Sequence, residues 1–172
     1  LRDDYDRFRA GLSVLALTVD GAREADPDPA LFSTLYHTLS YLCYTDSDPC
    51  DLYFAFLLKY LDRHGYRPML TRCAKCSQDL RNMQKLTFLA SAGGAVCPDC
   101  GAGQAVSRVT LEAMRRMLQL EDEKLQKIRL PYKVRLELND ILPAYARCVL
   151  ERRIRALEMG VCDNMHKEAD EK

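Results

Sequence analysis

Two Cys-x-x-Cys pairs, Cys73/Cys76 and Cys97/Cys100, are separated by 20 residues and are the part of this chain best suited to chemistry. The spacing is that of a four-thiolate metal site. Each turn presents two sulfurs on one side of a tight knuckle, and two facing knuckles complete a tetrahedron with Zn–S distances of about 2.3 Å. Gly93, Gly94 and Gly101 supply turns with positive φ beside the knuckles. One structural Zn2+ is the expected cofactor, because four protein thiolates leave the metal no open position. Iron fits the same ligands. Two disulfides would suit an oxidising compartment, and nothing in the sequence marks secretion. A redox Cys-x-x-Cys normally opens a helix beside a βαβ unit, and none is visible. A zinc deaminase would share the run Cys97-Pro98-Asp99-Cys100, but its upstream His-x-Glu pair is missing: Leu39 and Tyr66 stand two positions after His37 and His64. Cys43, Cys50, Cys148 and Cys162 fall on expected helices and read as buried free thiols.

Other catalytic signatures are lacking. The chain has no phosphate-cradling Gly loop, no G-x-S-x-G and no H-E-x-x-H. His37 sits beside Leu35 and Leu39 and reads as half-buried core, while His64 precedes Gly65 where an imidazole favours a helix C-terminus. The chain does not read as an enzyme.

The elements that must position the cysteines are helices. Residues 2–18 place Phe8, Leu12, Leu15 and Val19 at helical spacing, so these are the expected core-facing residues of a first helix. Asp28-Pro29 and Asp48-Pro49 are N-cap and first-turn pairs that launch a second helix through Leu31, Leu35, Leu39 and Leu42, and a third ending at Gly65. Over residues 68–106 the helical period gives way to Gly, Ser, Cys and Pro with short apolar patches, the pattern of turns and hairpins. Thr110 is the expected cap of a fourth helix over residues 111–120, continued through residue 130. A long amphipathic stretch over 131–159 follows, which Pro143 should kink or split and Gly160 should stop. The expected fold is mainly α: a helical bundle in two parts, residues 1–67 and 107–160, with an inserted four-Cys zinc knuckle or ribbon module, 68–106, containing short β-hairpin structure. Residues 161–172 read as a flexible tail.

Composition bounds these readings. The 172 residues carry 25 Lys+Arg and 25 Asp+Glu with 48% hydrophobic residues, enough for a core without disulfide staples. No apolar run reaches the roughly 18 residues of a membrane span, so a soluble, cytoplasmic protein with no membrane partner is expected. The zero net charge is uneven: residues 1–50 have 4 basic and 9 acidic side chains, whereas residues 101–160 have 12 and 8. A basic middle and back permits an anionic partner on one face. The first residue is Leu1 and not Met, which reads as a fragment of something longer.

The ordered set of Gly65-Tyr66-Arg67-Pro68, both cysteine pairs, Gly93-Gly94 just before Cys97, and a basic close containing Arg152, Arg153, Arg155 and Leu157 resembles the bacterial RecO family of recombination mediators after its first domain. The resemblance covers residues 1 to about 160. It implies a protein of recombinational DNA repair that binds single- and double-stranded DNA, anneals complementary strands, and helps load recombinase onto strands coated by single-stranded DNA-binding protein. It also implies an OB-fold before Leu1, a nucleoid setting in bacteria, and two protein partners: RecR and the acidic, Phe-ended tail of the coating protein. The zinc would be scaffold.

Such a tail requires an apolar pocket rimmed by cations. The third helix offers Tyr53, Phe56 and Tyr60, with Lys59 and Arg63 as a rim. For DNA, the candidates are Arg108, Arg115 and Arg116 around the fourth helix and Arg147, Arg152, Arg153 and Arg155 on the last, able to neutralise phosphates without reading sequence. Two rivals stay open: a zinc-stabilised helical scaffold binding only protein, and a thiol oxidoreductase built on one Cys-x-x-Cys pair.

Overall fold

The computed structural model describes residues 4–21, 28–150, 157 and 161–162. The described residues form five α-helices and a small three-stranded sheet in the order α1 (Tyr5–Gly21), α2 (Pro29–Tyr44), α3 (Pro49–Arg63), β1 (Thr87–Leu89), β2 (Gly94–Val96), β3 (Gln104–Ala105), α4 (Arg108–Gln119) and α5 (Tyr132–Leu150). The two Asp-Pro starts behave as their chemistry requires. Asp28 accepts hydrogen bonds from the Ala30 and Leu31 amides, and Asp48 from those of Cys50 and Asp51, so each carboxylate satisfies two donors that a helix start leaves orphaned.

The third helix is the axis of the bundle. Every residue from Cys50 to Leu61 is buried, and α1, α2, α4 and α5 all pack on it. A helix apolar on all sides has no solvent face to offer, so the others wrap around it. Its two buried charges are both paired. Asp51 receives Arg135 of α5 at 2.7 and 3.0 Å and the Leu130 amide at 3.0 Å. Lys59 donates to the Leu120 carbonyl at 2.6 Å and meets Asp122 at 3.0 Å.

Three helix expectations need correction. In α1 the buried residues are Ala10, Gly11, Ser13, Val14 and Leu17, while Phe8, Leu12, Leu15 and Val19 are between 39% and 73% exposed. Small side chains let α1 approach α3 closely, and the larger set lies about half a turn away. The N-cap of α4 is Ser107, whose Oγ accepts from the Thr110 amide; Thr110 itself is buried in the first turn. The helix stops at Gln119, and residues Asp122–Lys127 form a 3-10 segment. Pulling Asp122 onto Lys59 and Thr34 turns the chain at this point. At the other end, α5 runs unbroken through Pro143 to Leu150. The remainder of that expected helix, Gly160 included, lies outside the described residues.

The other four cysteines also differ from expectation. Cys50 and Cys162, both buried, form a disulfide that ties the far end of the chain to the start of α3, while Cys43 and Cys148 are exposed. The pairing joins residues 112 positions apart, which no local pattern announces.

The sheet order is β2-β1-β3, both pairings antiparallel. Residues before it are stitched on by backbone bonds: the Ala95 amide donates to Met69 O at 2.8 Å and the Met69 amide to Gly93 O at 2.9 Å. Gly94 permits this. A Cβ there would sit 2.4 Å from the Met69 carbonyl oxygen. Phe88 of β1 packs edge-on against Tyr145 of α5, centroids 5.4 Å apart, so the sheet shares the core of the helices.

Candidate metal centre and basic groove

Cys73 and Cys76 sit on a turn leading into the sheet, and Cys97 and Cys100 flank the turn after β2. In both pairs the fourth residue of the turn is followed by backbone at positive φ: Ser77 at 62° and Gly101 at 144°. The Ser77 amide donates to Cys73 O at 2.9 Å, and the Cys100 amide to Cys97 O at 3.1 Å, so each knuckle is closed by its own backbone.

The four sulfurs lie within 4.8 Å of one another. Cys76 and Cys97 are 3.7 Å apart at Sγ, which fits the edge of about 3.8 Å implied by a tetrahedron of Zn–S bonds near 2.3 Å. The Cys97 amide points at Cys73 Sγ at 3.4 Å, a contact that favours thiolate. Against burial, which pushes it up, the amides of Cys76, Cys97 and Lys75 bring the Cys73 thiol down to about 6. Cys100, shared among its sulfur neighbours Cys76 and Cys97, is pushed up to about 12. Four crowded thiols ionise together only when a cation offsets their repulsion. The donor set therefore fits one metal ion, and Cys73, Cys76, Cys97 and Cys100 are brought together as the spacing implies.

The candidate pocket on α3 is not open. Tyr53, Phe56 and Tyr60 are at most 3% exposed, and Lys59 is 8% exposed and held by Asp122. Only Arg63 reaches the surface, its guanidinium donating to Thr34 Oγ1 at 3.2 Å. These side chains form the core around which the bundle closes.

A groove does open elsewhere, between the cysteine module, α4 and the segment leading into α5. It encloses about 1470 Å³ and is lined by seven cationic side chains, Arg72, Arg81, Arg108, Arg115, Arg116, Lys127 and Arg129, against two carboxylates, Asp79 and Glu112. Its floor is aliphatic, with Leu80, Leu111, Met117, Ile128 and Leu130, and no aromatic residue lines it. Both carboxylates are engaged: Glu112 receives Arg115 at 2.8 Å and Arg116 at 3.0 Å, and Asp79 receives Arg81. Glu112 is held down to about 2 by these two guanidiniums.

Of the expected basic residues, Arg108, Arg115 and Arg116 line this groove. Arg147 lies apart from it near the end of α5, and Arg152, Arg153 and Arg155 lie outside the described residues. Sequence reasoning missed Arg72, Arg81, Lys127 and Arg129. Their only local signal is positive charge outside the α-helices, and the fold alone gathers them.

Among the described residues no helix is long and apolar enough to cross a membrane. Comparison with known proteins bears on residues 2–158, which match the family model described as recombination protein O C terminal. The chain is 29% identical over 171 residues to a DNA repair protein RecO of Desulforamulus reducens, covering 97% of this chain and 65% of that protein. It is 29% identical over 164 residues to one of Desulfitobacterium hafniense (91% and 59%) and 33% identical over 162 residues to one of Roseiflexus sp. (91% and 56%). The chain thus spans about three fifths of the length of these relatives. A match of this extent to that family model, carried by a chain with both cysteine knuckles in place, assigns the protein: it belongs to the recombination protein O family and corresponds to its C-terminal part.

Proposed function

We propose that this chain acts in DNA repair and homologous recombination as part of a RecO-type mediator, without catalysing a reaction itself. The observation that carries the reading is the groove with seven cations against two carboxylates. Guanidiniums at its rim neutralise phosphates and release counterions, giving binding that is tolerant of sequence and weakened by salt. Strand annealing, help in loading recombinase onto coated single strands and RecR as a partner are part of this proposal, and membership of the family supports them. The metal is one Zn2+ held by Cys73, Cys76, Cys97 and Cys100. It supplies a rigid cross-link and has no open position for a substrate. By tying the two knuckles of the module together, these cysteines keep the wall of the groove that the module supplies in place.

The test is fluorescence anisotropy with a labelled single-stranded oligonucleotide over a salt series. Replacing Arg115 and Arg116 with Glu should weaken binding at least about tenfold at low salt and flatten the slope of log K against log salt by about two. Unchanged affinity and slope would remove the groove as the DNA site.

A second reading of the groove has its own observation. An aliphatic floor without aromatic platforms suits the acidic, apolar-ended tail of single-stranded DNA-binding protein better than it suits stacked bases. Val109 lines the groove and is 60% exposed, so Val109→Glu should block a short acidic peptide ending in Phe while sparing the fold. Peptide binding unaffected by Val109→Glu places the tail elsewhere.

A further inference from the structure

Two carboxylates stand in a groove that is otherwise cationic, and each already fills the part of a guanidinium that a phosphate would use. On the α4 wall, Arg115 donates from Nε and Nη2 to the two oxygens of Glu112, both at 2.8 Å, and Arg116 adds its Nε to Oε1 at 3.0 Å. On the module wall, Arg81 donates from Nε to both oxygens of Asp79, at 3.1 and 2.9 Å, and Nη2 joins the second oxygen. Arginine grips carboxylate and phosphate with this same fork, so an incoming phosphate and these carboxylates compete for the same donors. The other cations of the groove are differently placed. Arg129 gives Nη1 to the Gln126 and Ile128 carbonyls, and Arg108 and Lys127 make no ion pair among the described residues. Three of the seven cations are therefore already occupied by anions of the chain itself.

We propose that Glu112, with Asp79 in a lesser part, is a tethered competitor of the bound strand. A phosphodiester takes over the guanidinium forks on binding, and the carboxylate takes them back as the phosphate lets go. Glu112 thus sets the affinity of the groove and speeds release. This rests on the groove being the site of DNA phosphates and names what regulates it. The exposure of the pairs permits the exchange. The Glu112 side chain is 40% exposed, and those of Arg115 and Arg116 are 43% and 77% exposed, so water and salt reach all three. Exposed pairs of this kind hold weakly, unlike the buried Lys59 and Asp122. A competitor on the same helix is nonetheless never diluted, because its tether fixes its effective concentration. Hydrogen bonds from Arg115 and Arg116 hold the Glu112 carboxyl down to about 2, and those from Arg81 do the same for Asp79, so both competitors stay charged at neutral pH. Glu112 serves two guanidiniums and Asp79 serves one, which is why Glu112 has the larger effect.

The test is binding of a labelled single-stranded oligonucleotide to the metal-loaded 172-residue chain, by anisotropy for affinity and stopped flow for release. Glu112→Gln keeps the length of the side chain and removes its charge. It should tighten binding about fivefold at about 50 mM salt, mostly through slower release, and steepen log K against log salt by about one. Asp79→Asn should act in the same direction, about twofold. Asp62→Asn is the control: it makes the same change in net charge and frees Arg67, which does not line the groove, so affinity should stay within about 1.5-fold. Because the expected result is a gain, damage to the fold cannot imitate it. Should Glu112→Gln unfold the chain by circular dichroism, Asp79→Asn decides. An equal gain in Asp62→Asn overturns the proposal, since net charge alone would then explain it. Unchanged or weaker binding by Glu112→Gln also overturns it, and the Arg115 and Arg116 exchange to Glu tells which reading has failed. If that exchange still weakens binding, the groove remains the DNA site and only the competitor is lost; if it does not, both fall.

Discussion

Asp122 and Lys59 meet 3.0 Å apart, each side chain about 10% exposed, and this pair sets the turn after α4. Burial pushes the Asp122 carboxyl up, but Lys59 and the Thr34 hydroxyl outweigh it and hold it below its ordinary 3.8. A carboxyl depressed in the folded state contributes stability above its unfolded value and loses it as pH falls through the folded value. Asp122→Asn should therefore cost most at neutral pH, with the gap to the parent chain closing below about pH 4 in urea titrations. Asp122→Ala should cost about 3 kcal/mol at pH 7, because Lys59 is left charged in the core. Asp51 has the opposite sign: burial dominates and its carboxyl is raised despite Arg135. At the cysteines, Cys97→Ser should lower bound metal from one equivalent to near none by elemental analysis, with the helical signal largely kept. Metal retained in the variant would show that fewer than four thiolates suffice. The four-cysteine cluster was legible in the chain because its geometry is local: two short turns, each closed by its own backbone. Lys59 and Asp122 were not, since their partnership spans 63 positions.

At the scale of elements, capping chemistry was readable and facing was not. Asp28 and Asp48 start their helices as expected because an N-cap needs only its next three residues. The periodicity of α1 located a helix correctly but named the wrong side as core: the bundle takes the small residues, whose lack of bulk permits close approach. Within the module, Gly94→Ala should destabilise the stitch to residue 69, since its Cβ would meet Met69 backbone at 2.4 Å. Loss of thermal protection confined to the module, read by hydrogen exchange at residues 69–105, is the expected result. The disulfide between Cys50 and Cys162 closes a loop of 112 residues. In the chain-entropy account such a closure is worth up to about 4–5 kcal/mol, so a thiol reductant or Cys50→Ser should lower the melting temperature by several degrees. Equal melting with and without reductant would show that the bond does not form in solution.

Across the whole molecule, the groove is where sequence and structure diverge most. Its walls come from residues 70–86, 108–120 and 127–131, which share no local pattern. Charge counting showed a basic middle and back, yet it could not separate Arg115, which faces the groove, from Arg147, which does not. Replacing Arg108 with Glu should therefore weaken oligonucleotide binding several-fold, and Arg147→Glu should leave it within about twofold, as anisotropy at fixed salt would show. The aromatic run on α3 suggested a pocket and is instead the axis of the core, because five-helix packing leaves the central helix no open side. By itself, the sequence determined the mainly helical class, the Asp-Pro starts, the four-cysteine knuckles and the family, all carried by contacts within a few residues or by ordered motifs. Only the tertiary structure decided which face of each helix is buried, which cysteines pair, and which cations share a groove, because those depend on distances between residues that the chain order keeps far apart.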